Sequence, residues 1–103
     1  MQIHEPTRAE ASAGIRAVAT VGRAAGQIAA PVRNVMTAAQ QLVLHTDFDI
    51  DALEPISPDE LAAAITRREM REQVVNAMLV ASFADGKPPP AQADCVERFA
   101  TVC

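Results

Sequence analysis

The chain has 103 residues, half of them apolar, and a formal net charge of −4; that is the size of one domain, and it excludes the basic face that nucleic-acid binding requires. There is no Trp or Tyr and there are only three Phe, so Ala supplies much of the apolar count and a lone monomer is expected to be marginal. No apolar run approaches the ~20 residues of a membrane span, and Glu5 breaks any signal-peptide layout at the start.

Charge is unevenly placed: residues 1–45 balance at +2 and residues 46–103 at −6. That asymmetry predicts either head-to-tail packing between copies or attraction between the two halves of one chain. Residues 1–6 read as frayed. Thr7, with Glu10 three residues on, has the form of a capping box. Ile15, Val18, Val21, Ile28, Val32, Val35, Met36, Ala39, Leu42 and Val43 then recur at spacings of three and four, the helical period. Pro31 disfavours helical geometry at Ala30. The reading is therefore two helices, about 8–29 and 31–45, or one kinked at that point.

Residues 46–57 read as an acidic loop. Ser57-Pro58-Asp59-Glu60 is the strongest helix start in the chain, with a Ser N-cap, Pro in the first turn and Glu placed to reach back. Leu61, Ile65, Val75, Met78, Leu79 and Phe83 continue the apolar face, and Thr66 to Glu69 is an exposed stretch or a break between helices. Gly86 ends that helix in the left-handed conformation Gly favours. Lys87-Pro88-Pro89-Pro90 forms a stiff turn, and Val96, Phe99 and Val102 mark the buried face of a last helix. The expected fold is all-α: a single domain over 1–103, a small bundle of four to five helices with a helical hairpin at 58–102.

Three constellations invite a chemical reading. Asp47-x-Asp49-x-Asp51 begins like a calcium loop, but Ala52 and Pro58 stand where that loop needs its turn Gly and bidentate Glu; a solvated acidic loop is the expectation. Gly22-x-x-x-Gly26, with Gly14 and Ala30, lays small residues along one helix stripe and predicts close helix–helix packing. His4 and His45 have no ligand-spaced companions. Cys95 and Cys103, eight apart, lie too far apart on a helix for a disulfide, which suits a reduced, cytoplasmic setting. No nucleophile–base set or phosphate loop is present, so an enzyme has little to stand on.

The segment Arg71 to Ala100 resembles the TerB-like (tellurite-resistance) helical family. Ala84, Asp85 and Gly86 end an apolar helix, Pro90 lies in the turn, and Phe99 and Ala100 close the next helix as in that family. The resemblance covers about thirty residues. It implies an all-α bacterial domain serving as an accessory module in larger complexes, with metal bound by acidic residues in some members. Ala91 and Gln92 replace the acidic pair that often follows the turn, which leaves Asp85 alone to carry over.

These features together predict a non-catalytic protein-interaction or assembly module without a cofactor, self-associating or part of a larger complex. Val18, Val21, Gly22, Gly26, Val32 and Met36 form the predicted interaction stripe. Peripheral membrane contact through the basic first helix is its only membrane alternative. Two other functions are weighed: a divalent-metal-responsive domain using Asp47, Asp49, Asp51 and Asp85, and a peptide-precursor-like substrate modified at Cys95 or Cys103.

Overall fold

In the computed structural model, residues 6–84 and 86–102 are described; His4, Asp85 and Cys103, each singled out above, lie outside them. The order is α1 (Arg8–Arg23), α2 (Ala30–Ala39) running into a π turn (Gln40–Leu44), a 3-10 turn (Ile50–Ala52), α3 (Pro58–Ala64), α4 (Arg68–Ser82) and α5 (Pro90–Val102). There is no strand among the described residues. The fold is an all-α bundle of five helices, as expected.

Helix α1 lies at its centre. Its capping box forms as the sequence indicates: the Glu10 amide donates to Thr7 Oγ1 at 3.1 Å and the Thr7 amide to Glu10 Oε1 at 2.9 Å. From Glu10 to Arg23 no residue of α1 is exposed, and α1 packs against each of the other four helices. Ala11, Ala13, Ala17 and Ala19 are all buried. A helix covered on all sides can be approached closely only where its side chains are small. The alanines therefore set the spacing of the bundle, while Ile15, Met36, Leu61, Ile65, Met78 and Phe99, each at most 2% exposed, fill it.

The first helix ends earlier than the Pro31 argument places it. It stops at Arg23, and Gly26, at φ 122°, turns the chain. Pro31 sits in the first turn of α2, where its missing N–H costs nothing. Gly22 and Gly26 thus do not share a helix stripe. Close packing does occur at Gly22, within the chain: a Cβ there would lie 3.3 Å from Ile28 Cγ1 and 3.5 Å from Val32 Cγ1. Val18, Val21, Gly22, Val32 and Met36 are buried in the chain's own core and Gly26 is an exposed loop residue. The stripe read as an interaction surface is therefore interior.

The polar insert at 66–69 is a break, and it changes which residues face inward. Ile65 and Arg67 are extended, so α4 starts with a new rotational phase. Met70, Val74, Met78 and Ala81 are buried, whereas Leu79 and Phe83, expected inside, are 42% and 58% exposed. Arg71 fastens the break by donating to the carbonyls of Ile65 at 2.5 Å and Ala62 at 2.6 Å, which the end of α3 leaves without helical partners. Ser57 caps α3 through the Glu60 amide. Helix α4 stops short of Gly86, at Ser82 with Phe83 as its C-cap, and Gly86, at φ 91°, instead turns the loop that follows, its amide donating to the Phe83 carbonyl at 3.1 Å. In α5, Cys95, Val96 and Phe99 are buried, but Val102 is 41% exposed, unlike its predicted place on the inner face.

The charge asymmetry is used within the chain. Arg16 donates to the carbonyls of Glu54 (3.1 Å) and Pro55 (2.9 Å), and Arg23 to those of Leu53 (2.6 Å) and Ile50 (2.8 Å). Between them Thr20 Oγ1 accepts from the Ile56 amide at 3.1 Å. Positions 16, 20 and 23 share one helix face, so a polar stripe of α1 straps the loop over 50–56 to the bundle.

Removing one clasp tests this. Arg23→Met strips two charged donors from half-buried loop carbonyls and is expected to cost about 2–4 kcal/mol in urea unfolding. Arg33→Met, which removes only the solvent-exposed pair with Asp51, leaves the urea midpoint where it was. A glycine pair tests the packing. Gly14 has room, its nearest neighbour being Val74 Cγ2 at 3.4 Å, so Gly14→Ala gains helix propensity of about 0.5–1 kcal/mol. Gly22→Ala must displace Ile28 and is expected to be less stable than Gly14→Ala by about 1 kcal/mol or more.

Candidate functional site

An apolar groove of about 210 Å³ lies between α1, the α2–π segment and α4. Gly14 and Val18 of α1 form its floor, Ala39 and Val43 one wall, and Val74 and Ala77 the other. Gly14 contributes by having no side chain. The wall at Val43 owes its shape to the π turn, which places an extra residue in the last turn before the chain leaves the helix. That turn projects Leu42 and Val43 outward, 76% and 50% exposed, while Leu44 packs partly against the core.

The turn is held by its own polar groups. His45 adopts φ 52° and the Thr46 amide reaches back to the Gln40 carbonyl at 3.0 Å. Gln40 is 5% exposed. Its side chain donates to the Phe48 carbonyl at 3.0 Å and accepts from the Phe48 amide at 2.7 Å and the Thr46 hydroxyl at 3.0 Å. Phe48 lies in turn under Arg8, whose guanidinium carbon is 4.9 Å from the ring centroid.

Glu10 lines one end of the groove. Its carboxylate is almost wholly buried and accepts from Arg67 at both oxygens, Nε to Oε2 at 3.1 Å and the second nitrogen to Oε1 at 2.5 Å. The Arg67 hydrogen bond, then the Thr7 amide, hold the Glu10 pKa below its ordinary value of 4.5, against the opposing effect of burial. The pair joins the start of α4 to the start of α1.

The three loop aspartates do not converge. Asp47, Asp49 and Asp51 point to solvent while the alternate residues Phe48 and Ile50 turn inward. Asp49 accepts from the Asp51 amide at 3.0 Å, and Asp51 pairs with Arg33 at 2.7 Å. Asp47 and Asp49 precede the 3-10 turn that holds Asp51, and all three side chains stay exposed, with Asp49 and Asp51 engaged by the turn amide and by Arg33 instead of closing around an ion. Among the described residues no group of three or more His, Cys, Asp or Glu is placed to hold a metal. Cys95 is buried on α5.

The sequence pattern does not mark out Gly14, Val74 and Ala77 as groove residues. Ala39 and Val43 belong to the predicted apolar stripe, whose remainder is mostly core. The new phase of α4 after Ile65 is what places Val74 and Ala77 there, and no residue at the break signals that phase in the sequence. Ile56, buried and also outside the pattern, had a signal: it precedes the N-cap Ser57 and stands in staple position to Leu61. Comparison with known protein families, characterised proteins and solved structures gives no match for this chain.

Glu10 supplies a pH test. Because its pKa is lower in the folded state, the stability it contributes is full above about pH 4.5 and is lost as pH falls through the folded value. Urea midpoints of the wild type should fall below that pH, and Glu10→Gln should flatten that part of the curve.

Proposed function

We propose that this chain is a non-catalytic helical module that works by binding protein across the face around the groove. The observation that carries this reading is where the chain leaves its large apolar side chains. Leu42 and Val43 stand on one side of the groove, while on α4 Val80 and Phe83 continue the stripe of Gln73 and Ala77, which line it. Leu79 adjoins them on the same helix. Isolated exposed apolar residues are ordinary, whereas a contiguous apolar face beside a groove is the mark of an interaction site. The resemblance of residues 71–100 to TerB-like domains, with the accessory role it implies, is in keeping with this reading.

The test is site-specific photo-crosslinking at native expression level. A photoreactive residue at Val80 is expected to form adducts with protein, and the same residue at Glu97, exposed on α5, is not. Absence of protein adducts at Val80 would end the proposal.

A further inference from the structure

Resting on that reading, we infer that the partner is a second copy of this chain, docked by a two-fold interface across the groove. More than a fifth of the residues are charged, yet 34–46 and 73–84 contain no Asp, Glu, Lys or Arg, and they are the two longest such runs in the chain. They are adjacent in space: Ala39, Val43 and Leu44 of the first run and Gln73, Val74 and Ala77 of the second line the same groove. Two charge-free segments 27 residues apart are thus folded into one neutral face.

Elsewhere, among the described residues, exposed carboxylates outnumber exposed bases ten to five. Asp47, Asp49, Asp59, Glu60, Glu72, Asp94 and Glu97 are all exposed, and each copy carries −4. Two copies meeting through those regions would bring together more carboxylates than the exposed Arg8, Arg67, Arg68, Lys87 and Arg98 can offset, at a cost that rises as water is excluded. The groove face is where they meet without that repulsion. A basic partner, by contrast, would gain its attraction on the acidic surfaces and not here.

Shape points the same way. A two-fold interface must be self-complementary, so one patch has to carry both the projection and the recess. Leu42, 76% exposed, projects from the π turn next to Val43, which lines the recess together with Gly14. In such a pair Leu42 of each copy enters the other's groove, and Val80 and Phe83 close the rim. The α4 run of twelve residues spans about 18 Å, which puts the interface at the small end of specific contacts.

Sedimentation across a concentration series tests this with the full chain. A monomer–dimer equilibrium is expected whose Kd does not rise with added salt, since the face is neutral and the copies repel through their remaining charge. Leu42→Glu and Val80→Glu place a carboxylate in the interface twice and should each raise Kd on the order of 100-fold. Both sites are exposed in the monomer, so circular dichroism and the urea midpoint should be unchanged. Glu97→Gln should leave Kd as it is. A folded chain that stays monomeric to about 1 mM, or a dimer indifferent to Leu42→Glu and Val80→Glu, overturns the inference. If Val80 then still crosslinks to a different protein, the interaction reading survives and only the choice of partner is lost; if it crosslinks to none, both fall.

Discussion

The structure depends on one constraint: a central helix with no exposed residue from Glu10 to Arg23 must be surrounded closely and must have its polar groups satisfied by what surrounds it. Small side chains meet the first demand. With Ala at 11, 13, 17 and 19 and Gly at 14 and 22, neighbouring backbones come near α1 without a void. An alanine-rich composition suggests a poorly filled interior when each residue is counted alone. Placed on a helix that others enclose, the same alanines let the larger Ile, Leu, Met and Phe side chains of the surrounding elements do the filling.

The second demand explains the loop. Arg16, Thr20 and Arg23 lie on one face of α1 and need partners once the bundle forms. The segment over 50–56 supplies four carbonyls and one amide. These are bonds from charged donors to neutral backbone, so they are directional and less sensitive to salt than ion pairs between exposed side chains. The basic first half and acidic second half do attract, but the strongest contacts made by Arg16 and Arg23 go to peptide groups. Carboxylates enter chiefly at Arg33–Asp51 and Arg67–Glu10.

How much of this was legible in the sequence follows from the range of each signal. Thr7 with Glu10 and Ser57 with Pro58 are local instructions, and each appears where the residues place it; α4 instead stops at Phe83, before the glycine expected to end it. The rotation of α4 is a different matter. If the helix from Leu61 were continuous, Ile65, Val75, Leu79 and Phe83 would share its inner face. Two extended residues at the break reset that phase, and no residue there announces by how much. The groove was illegible for the same reason, since its walls come from α1, α2 and α4 and depend on how three phases meet. The aspartate run could be judged from sequence, because the missing turn Gly and closing Glu at positions 52 and 58 already deny it the geometry of a calcium loop.

The break between α3 and α4 also links the fold to its outer face. Arg71 ties α4 to the end of α3, and Arg67 ties it to Glu10 on α1; the two anchors, one helical turn apart, fix the helix against rotation. Turned by about 100°, one residue's worth, α4 would carry Val75, Leu79 and Phe83 inward and bring Met70, Val74 and Met78 toward solvent. Hydrophobic burial alone discriminates weakly between two such apolar faces, each worth roughly 1.5–3 kcal/mol per large side chain. The arginine clasps decide between them. A chain with only three Phe leaves Phe83 more than half exposed because polar contacts at the other end of the same helix hold it there, and the apolar face beside the groove is the consequence.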